Sequence, residues 1–290
     1  MLAVDASWTL DPAPIILILA AGVLYARRWR TTRQAARRAR THQGMVYALK
    51  HDAPRWRAAC FAGALLAAIA ALISPVDALG HQVLAMHMVQ HLLLLDVAPI
   101  LGIVALTRVI LRPATRRFME VERKLGFVAH PVFAAVFYVA TMVVWHIPAL
   151  YDAALEHPGL HVLEHILFAI AGGMYWWHLL SPIPGRHRLT GMGPVIYMVA
   201  TKIGVGLLGI VITFAPDSFY DFYARQGTVW GMSPATDQQV AGALMAVEQS
   251  LIMGTALAWL FVRMLGESQR GDERRERYER EPDSTVPSAR

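Results

Sequence analysis

Cysteine is all but missing: Cys60 stands alone in 290 residues, which excludes an intrachain disulfide and any Cys-x-x-Cys metal or redox motif. Any metal must be held by histidine, methionine or carboxylate. Charge is scarce too, at 17% of residues against 56% hydrophobic, with a mean hydropathy of +0.39. That is too apolar for a soluble domain of this length, so the expected solvent is the bilayer. The net charge of +6 would suggest nucleic acid in a soluble chain. In a membrane protein basic residues first set orientation, and nucleic acid is excluded as a partner. No lysine or arginine precedes Arg27. The basic n-region of a signal peptide is therefore absent, and the first helix is expected to persist in the mature protein.

What the chain has is a succession of apolar runs. About 20 residues cross the hydrocarbon as a helix, and candidates lie near 12–28, 56–74, 81–106, 130–147, 160–180, 193–214 and 240–264. Between them, Arg27 to Arg57 carries ten basic residues, Arg108 to Lys124 six, Arg186 and Arg188 two, and Arg263 to Arg290 seven. The alternate connections carry Asp77, Asp152, Glu156, Asp217, Asp221 and Asp237. The positive-inside rule then predicts an all-α, polytopic membrane helix bundle of about seven transmembrane helices, N-terminus outside and C-terminus cytoplasmic. Residues 1–266 form this bundle, with a basic cytoplasmic loop over 29–55. Residues 267–290 are expected to be a charged, disordered cytoplasmic tail, and loop and tail both suit contact with anionic membrane lipid. Gly204, Gly206 and Gly209 spell Gly-x-Gly-x-x-Gly inside an apolar span, where close helix packing replaces dinucleotide binding as the reading.

Intramembrane ionisable groups are costly and are functional candidates by default. On the third span, Met86-His87-Met88-Val89-Gln90-His91 sets His87 and His91 four residues apart on one helix face. On the fifth, His161-Val162-Leu163-Glu164-His165 repeats the spacing, with Glu164 beside His165. The fourth ends at Trp145-His146-Ile147-Pro148, so three helices are expected to deliver imidazole to one layer in the outer half of the membrane. Two histidines one turn apart make a chelating edge, and two edges close a four-ligand shell. Imidazole suits copper, zinc or iron, and Met86, Met88 and Met245 near the same level lean toward copper. The expected metal ligands are His87, His91, His146, His161 and His165. Met86, Met88, Glu164, Asp237, Met245 and Glu248 are expected as supporting or relaying groups. Asp96 and Lys202 fall near mid-bilayer, where a charge pair or shared polar network is expected.

These motifs resemble the CtaG family of assembly factors for caa-type cytochrome c oxidases. The resemblance is carried by His87-Met88-Val89-Gln90-His91 with Pro99, Trp145-His146-Ile147-Pro148 with Leu150-Tyr151, His161 to His165 with Gly172 to Trp177, and Asp237-Gln238-Gln239 with Gly242 and Met245. It covers most of the membrane domain; the arginine-rich first cytoplasmic loop has no counterpart in it. The resemblance implies a bacterial inner-membrane chaperone of the respiratory chain, with cytochrome c oxidase subunits as partners and copper delivered to or held for the catalytic subunit. It implies no enzymatic activity.

Other readings stay open at this point. His161-x-x-Glu164-His165 also matches an inverted zincin pattern, which would make the chain a membrane zinc hydrolase with Glu164 as general base. A haem protein would use axial histidines on facing helices, which paired histidines on one helix do not need. A metal-free assembly scaffold would use the histidines as a polar seam.

Overall fold

The computed structural model describes residues 4–39, 41–183 and 185–280, and within them the chain is helical without a named strand. In order come α1 (Pro12–Arg37), α2 (His42–His51), α3 (Arg55–Leu72), α4 (Pro75–Gly80) and α5 (Leu84–Leu92). A π-helical turn (Leu93–Val97) leads into α6 (Ala98–Ala105), then α7 (Arg108–Leu125), a 3₁₀ turn (Gly126–Ala129) and α8 (Pro131–Trp145). The remaining helices are α9 (Pro148–Glu156), α10 (Pro158–Leu180), α11 (Gly193–Thr213), α12 (Asp221–Ala224) and α13 (Pro234–Arg280). Proline opens many of them, at Pro12, Pro75, Pro131, Pro148 and Pro158, where its missing N–H is no loss. The side chains of Thr41 and Thr107 cap two further starts, and that of Ser74 caps the start at Pro75.

Among the described residues, four helical stretches are long and apolar enough to cross a membrane: His42–Leu72, Leu84–Ala105, Gly193–Thr213 and Pro234–Val262. A fifth arises if Arg108–Ala129 and Pro131–Trp145, bent by 63°, count as one broken span. The other two expected spans are helical as α1 and α10, of 26 and 23 residues. Polarity keeps them out of that group: Arg27 and Arg28 in the one, and His161, Glu164 and His165 in the other. The last helix runs on to Arg280 where a disordered tail was expected. Residues 281–290 of the expected tail lie outside the described ones.

The core lies where α5, its π turn, α8, α10, α11 and α13 meet, around Tyr138, Phe168, Tyr175, Trp176, Met88 and Met245. Two glycines set its tightest approaches. A Cβ on Gly172 would stand 1.8 Å from the Leu95 carbonyl oxygen, so α10 lies directly on the π turn. A Cβ on Gly242 would meet the Thr213 nitrogen at 2.6 Å, which sets α13 against α11. Of the Gly-x-Gly-x-x-Gly positions, Gly204 packs against Val139 and Gly209 against α13, as the close-packing reading expects, while Gly206 faces nothing within 4 Å.

Candidate metal centre

The first turns of α5 and α10 carry the histidines, and both helices enter the core at the same end. On α5, His87 and His91 lie one turn apart, their Nε2 atoms 2.7 Å from each other and each residue 1% exposed. On α10, His161, Glu164 and His165 share a face by the i, i+3, i+4 rule and turn it toward α5. The Glu164 carboxylate reaches between the two α5 imidazoles, with Oε1 3.4 Å from His91 Nε2 and Oε2 3.7 Å from His87 Nε2. One ligand atom each from His87, His91, Glu164 and His165 lie within 4.8 Å of one another. The His161 ring sits at the rim, its centroid 4.2 Å from His165 and 5.3 Å from His87.

Hydrogen bonding decides which nitrogens are free to bind. Tyr223 on α12 donates its hydroxyl hydrogen to the Gly80 carbonyl at 2.5 Å, so its oxygen accepts from His87 Nδ1, 3.3 Å away. The His87 lone pair is thereby placed on Nε2, facing the group. On the third helix, His146 Nδ1 donates to the Met142 carbonyl at 2.7 Å, leaving a bare Nε2 3.3 Å from the Met88 sulfur. An imidazole lone pair and a thioether lone pair thus face each other with no hydrogen between them. His91 Nδ1, His161 Nε2, His165 Nε2 and both Glu164 oxygens are buried with no hydrogen-bond partner among the described residues. Each such atom costs about 1–3 kcal/mol. With His87, His91, Glu164 and His165 already within 4.8 Å of one another, these orphaned atoms make a donor set fit for a cation, and an imidazole, carboxylate and thioether set suits copper or zinc.

Of the expected site residues, His87, His91, His161 and His165 come together, with His146 joined through Met88. Glu164, expected in support, stands among the candidate ligand atoms, because its i+3 offset from His161 points it the same way. Met86 and Met245 pack in the apolar core. Asp237, at the start of α13, accepts the backbone N–H of Leu84 at 2.7 Å and of Ala85 at 3.0 Å, so it caps α5 rather than drawing in a cation. The expected charge pair does not form: among the described residues no ion pair joins Asp96 to Lys202. Asp96, fully buried in the π turn, accepts instead from Trp176 Nε1 at 2.6 Å, Tyr138 at 2.9 and 3.0 Å, and Gln249 Nε2 at 3.4 Å. Neutral donors solvate a carboxylate without the desolvation of a second buried charge. Glu248 belongs to this deeper group and not to the histidines, since it lies within side-chain reach of Asp96.

Tyr223 and Asp152 were not expected at the site. Asp152 accepts the N–H groups of Asp221 and Phe222, at 3.1 and 3.2 Å, and so docks α12 and its Tyr223 over the histidines. The available signal was compositional: Phe219, Tyr220, Phe222 and Tyr223 crowd one connection.

The profile of the family described as "Cytochrome c oxidase caa3 assembly factor" matches residues 23–267. Uncharacterized proteins of Mycobacterium bovis and Mycobacterium tuberculosis are each 26% identical over 186 residues, covering 59% of this chain and 28% of theirs. One of Mycobacterium leprae is 23% identical over 120 residues, 41% of this chain and 18% of its own. The chain therefore matches less than a third of the length of these relatives. No solved structure matches. The family match runs from within α1 to the charged end of α13 and takes in every residue of the histidine group, and on that extent the chain belongs to the cytochrome c oxidase caa3 assembly factor family.

Proposed function

We propose that this protein holds a copper ion as cargo in its histidine group and hands it to a cytochrome c oxidase subunit during assembly. The observation that carries the reading is the convergence of His87, His91, Glu164 and His165, with ligand atoms inside 4.8 Å, beside the bare His146 Nε2 and the Met88 sulfur. A closed tetrahedral shell with bonds of about 2 Å brings its ligand atoms to roughly 3.3 Å from one another. The four ligand atoms lie within 4.8 Å of one another, from where side-chain rotation can close them on an ion, and a donor needs that binding to be weak and exchangeable. His146 with Met88 offers a softer second stop, which favours Cu(I) over harder cations. In this reading seven helices span a bacterial plasma membrane, with α1 and α10 as the two spans their polar residues disguise. The N-terminus lies outside, the C-terminus lies in the cytoplasm, and the histidine group lies in the outer leaflet.

One observation favours a second reading. Three histidines with a carboxylate within 3.4–3.7 Å of two of them also suit a catalytic zinc with a general base. The test is metal analysis of detergent-purified protein after loading with Cu(I) or Zn(II), comparing the wild type with the His87→Ala, His91→Ala, His161→Ala, His165→Ala variant. Stoichiometric copper lost in the variant supports the copper reading. Equal metal in both proteins removes the site, and zinc-loaded protein that hydrolyses an amide or ester favours the hydrolase. For delivery itself, deletion of the gene is expected to lower oxidase activity and excess copper to restore it.

A further inference from the structure

The opposite end of the bundle holds a second feature that the histidine group does not explain. Where α6 and α10 finish, some 13 residues or about 20 Å along the helix axis from His91, a cavity of about 710 Å³ opens. Three arginines are among the residues that line it, Arg57, Arg108 and Arg188. Arg57 donates to the carbonyls of Val104, at 2.6 Å, and Leu106, and lies over the Trp56 ring at 4.7 Å. Arg108 Nε donates to the Pro182 carbonyl at 2.7 Å. Carbonyls orient Arg57 and Arg108 but leave their charge standing, and among the described residues none of the three arginines forms an ion pair. Asp52 and Glu122 also line the cavity; Glu122 is taken up by the backbone N–H of Arg186 at 2.8 Å. The apolar part of the wall includes Trp177, Leu179 and Leu260.

An independent feature stands beside it. Helix α7, which starts at Arg108, turns 63° away from α8 instead of continuing it. Phe118, Val121 and Leu125 recur at i, i+3 and i+7 and are exposed, followed by Phe127 at 68%. Arg112, Arg116, Arg117, Arg123 and Lys124 occupy the same 18 residues. A helix with exposed apolar residues and a dense basic complement lies in the membrane interface rather than across it. The cavity therefore opens at the headgroup level of the leaflet in which α7 rests.

We propose that this cavity binds the phosphate headgroup of an anionic phospholipid, with Arg57, Arg108 and Arg188 around the phosphate and an acyl chain along the apolar wall. Basic pockets between membrane helices on the positive side of a bundle are suited to this chemistry. A soluble phosphate compound would offer the same group without the chain.

The test uses full-length protein in nanodiscs, with tryptophan quenching by brominated phosphatidylglycerol as the readout, since Trp56, Trp177 and Trp259 line the cavity. The Arg108→Ala, Arg188→Ala variant is expected to bind the brominated anionic lipid about thirtyfold more weakly. A control that removes two arginines from the last turns of α1, Arg30→Ala with Arg37→Ala, is expected to leave the quenching unchanged. Arg57 is left in place because its carbonyl bonds hold α6; Arg108→Lys with Arg188→Lys checks folding and is expected to recover part of the binding. Equal loss in the α1 control, or equal quenching by brominated phosphatidylcholine, overturns the site. Displacement of the lipid by millimolar inorganic phosphate overturns the lipid assignment in favour of a soluble ligand.

Discussion

Replacing Gly172 with alanine puts the link between packing and the histidine group to a direct test. The added Cβ would stand 1.8 Å from the Leu95 carbonyl oxygen, 2.6 Å from its carbon and 2.9 Å from its Cα. Real Cβ contacts essentially never fall under 3.0 Å, so α10 and the π turn must part by more than 1 Å. The obstacle is backbone, which cannot swing aside as a side chain can. Overpacking typically costs about 1–3 kcal/mol, and the upper end applies here. The same displacement pulls Trp176, one turn further on α10, from its 2.6 Å bond to Asp96, a contact with a charged acceptor worth about 1.5–3 kcal/mol. The two losses share one movement and do not simply add, so about 3–5 kcal/mol of destabilisation is expected. Because His87 and His91 precede the π turn on the same helix, the shift also moves them away from Glu164 and His165. A metal site tolerates only about 0.5 Å of such error, so copper affinity is expected to fall at least tenfold. Gly173→Ala is the control: nothing lies within 4 Å of its Cβ, and the change is expected to be neutral or stabilising by up to about 1 kcal/mol. Thermal unfolding in detergent and copper titration are the assays. Matching midpoints and affinities for Gly172→Ala and Gly173→Ala would show that this contact holds neither the fold nor the site.

Three further outcomes are expected. Tyr223→Phe removes the acceptor that holds His87 Nδ1–H and should weaken copper binding about 10–100-fold while costing only about 1 kcal/mol of stability; a titration indistinguishable from wild type would remove Tyr223 from the site. Asp237→Ala uncaps α5, since Leu84 and Ala85 lose their acceptor, and should cost about 1–2 kcal/mol in thermal unfolding. Asp96→Leu strands Trp176 and Gln249 and should cost about 3 kcal/mol or more, whereas Lys202→Met should leave the Asp96 group untouched and lie within about 1 kcal/mol of wild type. Equal costs for these last two would restore the charge pair expected from sequence.

The i, i+4 pairs made the histidine layer legible in the sequence, because helix periodicity alone fixes that His87 with His91, and His161 with His165, share a face. The tautomers were not legible. They depend on Tyr223, which arrives from a loop with no period to read, and on the Met142 carbonyl, which has no side-chain signature. Asp96 shows a different failure. Counting turns from the ends of two apolar runs places Asp96 and Lys202 at one depth, but depth says nothing about azimuth, and the π turn at Leu93–Val97 changes the angular phase of everything after it. The extra residue in that turn presses the Leu95 carbonyl toward α10, and only a glycine at position 172 lets α10 meet it. The buried donors of Asp96 therefore follow from a backbone irregularity rather than from charge matching.

The membrane spans and the site also compete for the same residues. The segment around 160–180 is hydrophobic except where His161, Glu164 and His165 interrupt it, and those three lower its apolarity below that of Gly193–Thr213. If α10 crosses the bilayer and its polar face holds a cation, as proposed, that chemistry itself weakens the hydropathy signal by which a span is recognised. The cost of burying that face is met in pairs. The imidazoles of α5 satisfy each other at 2.7 Å, and the Glu164 carboxylate reaches both without a full hydrogen bond to either. Both Glu164 oxygens, with His161 Nε2 and His165 Nε2, are left without a hydrogen-bond partner among the described residues, and these are the atoms that a cation would satisfy under the proposed reading.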